Sequence, residues 1–169
     1  MRIAFVLLFI PLSLAAQEGR LIPNPIRDIP RWARDEFQRT MADKYAITYS
    51  LFPHTLLGDF DGDGKKDVVI QVVEKRSKMA GFMIIHARKP QALFIGKTIV
   101  GAGRSIGTSG DDLSWVNEWS VVSAKRLAAA DYGSIIDAKG DALIFAKRGA
   151  QKFLLYWNGK RYEWHRVGK

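Results

Sequence analysis

Between Gly58 and Val69 the chain reads Gly-Asp-Phe-Asp-Gly-Asp-Gly-Lys-Lys-Asp-Val-Val, which sets Asp59, Asp61, Asp63 and Asp67 at positions 1, 3, 5 and 9 of a single loop. Four carboxylates this close repel one another unless a cation sits among them. A hard divalent ion such as Ca2+ takes about 6 to 8 oxygen ligands from carboxylates, carbonyls and water. The alternation of acid and spacer lets the odd positions point to one side. Gly62 and Gly64, at positions 4 and 6, allow a sharp turn, after which the carbonyl of Lys65 at position 7 can face the same ion. An EF-hand needs a bidentate Glu at position 12, but here that position is Ile70, inside an apolar run with the texture of a strand. The loop is therefore expected between strands, with Asp67 closing the site from the first residue of the second. A turn without an ion accounts for one Asp but not for four at this spacing. Mg2+ suits the pattern less well, because it holds its waters and seldom uses an all-protein cage. The expected metal ligands are Asp59, Asp61, Asp63, Lys65 through its carbonyl, and Asp67, and the expected cofactor is Ca2+.

The rest of the chain reads as strands behind one helix. With 47% apolar and 11% aromatic residues, 169 residues suffice for one packed domain and argue against disorder. After Pro23, Pro25 and Pro30, the stretch Arg31 to Tyr45 places Trp32, Ala33, Phe37 and Met41 on one face of a helix, with Pro30 suited to its first turn. From Lys66 onward come short β-branched and aromatic runs: 68–73, 82–86, 93–100, 115–122, 142–146, 153–157 and 162–167. Asn158-Gly159 between the last two favours a two-residue hairpin turn. Leu127 to Ile136 is ambiguous between helix and strand. The expected fold is mainly β (α+β), an antiparallel meander or sandwich-like sheet with an N-terminal helix and a strand-flanked calcium loop.

Met1 and Arg2 precede the apolar run Ile3 to Ile10, which continues past Pro11 to Ala16 before polar Gln17 and Glu18. This has the form of a cleaved secretory signal, too short and interrupted for a membrane span. The expected organisation is a signal peptide over 1–16 and a single calcium-binding domain over 17–169, periplasmic or secreted. Removing the leader takes away one charged residue, Arg2, and leaves a net charge of +8. Basic residues recur in small groups such as Lys75-Arg76, Lys125-Arg126 and Lys147-Arg148, as expected of solvated turns at strand edges. An anionic polymer is the partner this charge would favour. An extracytoplasmic address argues against nucleic acid, and no later segment is apolar enough to span a membrane. The absence of cysteine excludes disulfides, thiolate metal sites, thiol catalysis and a lipoprotein anchor.

The segment Leu57-Gly58-Asp59-Phe60-Asp61-Gly62-Asp63-Gly64-Lys65-Lys66-Asp67-Val68-Val69 resembles the calcium-binding loop of FG-GAP or VCBS repeats, found in integrin-type propellers and many secreted bacterial proteins. The resemblance implies calcium held between two strands by Asp59, Asp61, Asp63, Asp67 and the Lys65 carbonyl. Ile99-Val100-Gly101-Ala102-Gly103, Asp111-Asp112-Leu113-Ser114-Trp115 and the ending Leu155 to Tyr162 also look like small secreted proteins with one such loop. A propeller needs several blades, and one loop does not supply them.

Other constellations carry less. Gly101, Gly103 and Gly107 superficially suggest a dinucleotide loop, but no helical pattern follows. His54, His86 and His165 are far apart and read as strand or loop residues. Trp115 and Trp119 share a face and read as core. The functional expectation is a non-catalytic calcium-binding protein of the cell envelope, an ion-stabilised binding or structural module with no catalytic residues. The alternative is a secreted hydrolase acting on a cell-wall or extracellular polymer, with a structural calcium and a carboxylate from Asp111, Asp112 or Glu118 as the catalytic group.

Overall fold

A computed structural model describes residues 25–88, 92–95, 112–129 and 136–167. The expected leader, the glycine-rich loop at 101–110 and Asp111 lie outside these residues. The fold is mainly β, with two antiparallel sheets and few helices.

A 3-10 turn (Pro25–Asp28) leads into α1 (Arg31–Thr40), followed by β1 (Tyr45–Thr48), β2 (Thr55–Gly58), β3 (Asp67–Glu74), β4 (Ala80–Ile85) and β5 (Ala92–Ile95). These strands form the first sheet. The second is β6 (Glu118–Val122), β7 (Ala142–Ala146), β8 (Lys152–Trp157) and β9 (Tyr162–Val167), paired in chain order, with the short α2 (Ala124–Ala129) between β6 and β7.

The helix expected to reach Tyr45 stops at Thr40, because Tyr45 is taken as the first residue of β1 and pairs with Glu74. The strands β1 and β2 are additions to the sequence reading. Both lie along the same edge of β3, β1 against Gln71 to Glu74 and β2 against Asp67 to Ile70, as one strand interrupted by residues 49–54. Gln71 sits at the interruption and is buried. Its Oε1 accepts hydrogen bonds from Ser50 Oγ (2.9 Å) and the Leu51 amide (2.8 Å), and its Nε2 donates to the Leu51 carbonyl (3.1 Å). A buried amide with both ends satisfied fixes where the interruption falls.

Alternation along the strands assigns the core. On β3 and β4, Val69, Phe82 and Ile84 face the second sheet and meet Leu143, Phe145 and Leu155 there. Val68, Ile70, Met83 and Ile85 face the other way, beneath Ala33 and Phe37 of α1. The unbroken apolar run of β3 follows, since both of its faces are covered. The outer face of the second sheet, with Ala142, Leu154 and Tyr156, is covered by Leu127 of α2, which resolves the first part of the ambiguous segment as helix. Trp119 is buried between the sheets with its indole donating to the Pro53 carbonyl at 2.8 Å, and Trp115 packs against the same core. The β8–β9 turn is longer than expected: Trp157 faces Tyr162, and residues 158–161 lie between them. The Asn158 side chain accepts from the amides of Lys160 and Arg161, with Gly159 at φ +92°.

Candidate metal centre

The acidic loop connects β2 to β3, so strands flank it and Asp67 is the first residue of β3. Gly62 and Gly64 take φ values of +77° and +83°, the left-handed turns the spacing requires. The loop's own amides orient its acids. The Asp63 amide donates to Asp59 Oδ1 (3.0 Å) and Asp61 Oδ1 (3.1 Å), the Gly64 amide to Asp59 Oδ2 (2.9 Å) and the Lys65 amide to Asp63 Oδ1 (2.8 Å). One carboxylate oxygen from each of Asp59, Asp61 and Asp63 lies within 4.8 Å of the others, a group that could hold a metal ion. Asp63 Oδ2 is buried and has no hydrogen-bond partner.

Asp67 is fully buried and is held from two sides, Oδ2 by the Phe60 amide and Oδ1 by the Ala87 amide, each at 2.9 Å. A second group comprises Asp61, Asp67 and His86, again with one ligand atom each within 4.8 Å of the others. In the sequence His86 reads as a strand or loop residue. It follows β4, one step beyond the Val68–Ile85 pair, which brings it opposite Asp67. The signal available in the sequence was register: runs at 68–73 and 82–86 folded as a hairpin oppose the residue before the first to the end of the second.

The charges are felt at the groups around them. Burial, then the neighbouring Asp67, raises the Asp61 carboxyl above its usual range, against the opposing influence of His86 and the Asp63 amide. Burial, then the charges of Asp67, Asp61 and Asp59, pushes the Tyr162 hydroxyl well above its ordinary value, so it remains a donor. That hydroxyl donates to the Phe60 carbonyl at 3.2 Å and lies 3.4 Å from His86 Nε2.

The second sheet grips the loop through the residues before β7. The Asp141 amide donates to the Asp59 carbonyl at 2.6 Å, and Asp141 Oδ2 accepts from the Asp59 amide at 3.1 Å. Asp141 Oδ1 accepts the Ala124 amide at 2.9 Å, tying the loop to the start of α2. Gly140 and Gly62 are glycines by necessity: a Cβ at Gly140 would overlap the Asp59 carbonyl, and one at Gly62 the Lys139 carbonyl. Phe60, fully buried between the sheets, anchors the loop from position 2.

The other carboxylates considered for catalysis are engaged elsewhere. Asp112 Oδ1 accepts the amides of Ala80 and Ser114, and Oδ2 accepts Ser114 Oγ at 2.7 Å. Burial acts to raise the Asp112 carboxyl, but these hydrogen bonds together outweigh it and hold the group below its usual range. Glu118 pairs with Arg148 at 2.6 Å on an exposed edge. Several basic residues are likewise spent locally, Arg161 on Glu163 (2.7 Å) and Lys75 on the Ala42 carbonyl (2.6 Å).

The chain is thus a mainly β protein with an acidic loop wedged between two sheets. No family model, no curated protein and no solved structure matches it. Among the described residues no helix is long and apolar enough to cross a membrane.

Proposed function

We propose that the protein is a non-catalytic calcium-binding module of the cell envelope, in which the ion completes the fold. The observation that carries this reading is the loop itself. Asp59, Asp61 and Asp63 converge while the amides beside them fix their orientation, and the buried oxygen Asp63 Oδ2 has no partner in the chain. A buried carboxylate oxygen without a partner is costly, and an oxygen-binding cation is the group that would satisfy it. The loop's donors are the carboxylate and carbonyl oxygens such an ion takes. Asp59, Asp61, Asp63 and Asp67 would hold it with the Lys65 carbonyl, and its chemical contribution is to cancel their repulsion. The resemblance to FG-GAP and VCBS loops and the signal-like first 16 residues support the envelope setting.

The ion's role in this reading is structural. Asp59 is bonded to Asp141 of the second sheet, so an ion that orders the loop also tightens the contact between sheets. Extracellular calcium modules bind at about 10⁻⁴ to 10⁻³ M, which suits calcium outside the cytoplasm. Calorimetric titration tests the reading directly. The protein should bind one Ca2+ in this range and Mg2+ far more weakly, and Asp63→Ala should remove most of the calcium heat. Equal binding of both ions, or a calcium heat untouched by Asp63→Ala, would refute it.

A further inference from the structure

We propose that the buried end of the same loop, formed by Asp61, Asp67 and His86, takes a first-row transition ion through His86 Nδ1, in competition with calcium. This deepens the calcium reading and rests on it, because both ions would draw on Asp61 and Asp67.

The fold buries one ring nitrogen of His86 without giving it a hydrogen bond. His86 is 7% exposed, and its Nδ1 is buried with no hydrogen-bond partner. That atom nevertheless faces two carboxylate oxygens, Asp67 Oδ2 at 3.1 Å and Asp61 Oδ2 at 3.4 Å, without a hydrogen bond to either. A polar atom buried in this way costs stability unless something coordinates it. The three donor atoms lie within 4.8 Å of one another, so one small cation can reach all of them.

The far side of the ring favours the tautomer with its lone pair at Nδ1. Nε2 lies 3.4 Å from Tyr162 Oη, and the two rings stack with centroids 5.9 Å apart and an interplanar angle of 12°. Tyr162 gives its own proton to the Phe60 carbonyl, so its oxygen is free to accept from Nε2–H. A histidine whose Nε2 carries the proton presents a bare lone pair at Nδ1. Metal-bound histidines are oriented in this way, with the second nitrogen donating outward to fix the ring and its tautomer. Here the relay runs from His86 through Tyr162 to Phe60, whose amide in turn holds Asp67 Oδ2.

Donor chemistry then separates the two ions. Calcium takes oxygen ligands, whereas imidazole with carboxylates suits Zn2+ and its neighbours. One imidazole and two carboxylates make three protein donors, the number used by a zinc site that keeps an open position. The loop thus offers two donor sets that share Asp61 and Asp67: the all-oxygen set of Asp59, Asp61, Asp63, Asp67 and the Lys65 carbonyl, and the mixed set of Asp61, Asp67 and His86.

Nitrogen NMR of protein labelled with 15N-histidine tests this, because there are only three histidines to follow. Zn2+ and Ca2+ are titrated separately into chelator-treated protein, and the melting temperature is read on the same samples. The expected result is that Zn2+ displaces the Nδ1 resonance of His86 alone and that excess Ca2+ restores it. His86→Gln should lower the ratio of Zn2+ to Ca2+ affinity by at least about tenfold. If Zn2+ moves no histidine, or moves His54 or His165 instead, the proposal fails; calcium-dependent melting in those samples would leave the calcium reading standing. A His86 resonance that shows both nitrogens protonated and stays unmoved by Zn2+ would make the ring an internal counter-ion and likewise overturn the proposal. A protein that answers neither ion would overturn both.

Discussion

Asp63 and Asp67 stand four residues apart in one loop, yet their surroundings have little in common. Asp63 is oriented by its immediate neighbours, chiefly the Lys65 amide, and is only partly buried. Asp67 is sealed from solvent and is held by amides brought from the far side of the loop, at Phe60, and from the end of β4, at Ala87. The outer half is thus a local structure that the loop makes for itself, while the inner half is made by the packing of strands. An ion at the outer half acts on a small unit, but its grip passes inward through Asp61, which belongs to both donor groups.

The largest effect is expected at Asp67. Its replacement by Ala leaves the buried Phe60 amide and the partly buried Ala87 amide without acceptors, and a loss of about 3 kcal/mol is expected in chelator, measured by urea unfolding. The matching change at the outer end, Asp63→Ala, should cost less than about 0.5 kcal/mol in chelator, because the Lys65 amide it leaves without an acceptor is exposed. Equal losses at the two positions would erase the distinction.

Gly140→Ala probes the grip of the second sheet. The new Cβ would drive against the Asp59 carbonyl, and a loss of about 2 kcal/mol is expected, with weaker calcium binding. Wild-type calcium affinity in this variant would mean that the contact between Asp141 and the loop is incidental.

The smallest effect is expected at Asp61, and it has the opposite sign. Its carboxyl is raised by burial first and then by Asp67, so the folded protein disfavours its charge. Without an ion, the stability withheld at neutral pH is regained as the pH falls through the raised value. Asp61→Asn should therefore melt slightly above wild type in chelator at pH 7 and lose that advantage in acid, while calcium no longer stabilises it. Melting below wild type in chelator would show that the ionised Asp61 is not a liability.

The same contrast explains what the sequence made legible. The spacing of Asp59, Asp61, Asp63 and Asp67 is a local signal, and the strand after it, β3, was expected within a residue of its observed start. The helix at 31–40 and strands β7 to β9 were readable from periodicity, although the β8–β9 turn is longer than its Asn-Gly suggested. Strands β1 and β2 were not readable, because each has four residues and gains its partner only by sharing the edge of β3. His86 and Asp141 were missed for one reason. They reach the loop from 19 residues past Asp67 and 82 residues past Asp59, His86 through a register that shows only when the runs 68–73 and 82–86 are paired, and Asp141 through sheet packing that no local pattern encodes.

The melting temperature of the protein in excess chelator, and then in rising calcium with magnesium as control, reads whether the loop binds and needs its ion. With affinity in the extracellular range, about 10 mM calcium should add roughly 1.4 to 2.7 kcal/mol. For a chain of this size that is a rise of about 3 to 10 °C, with little response to magnesium. A melting temperature that ignores both ions would leave Gly58 to Asp67 as a turn held by its own hydrogen bonds, and one that follows magnesium equally would refute a calcium site.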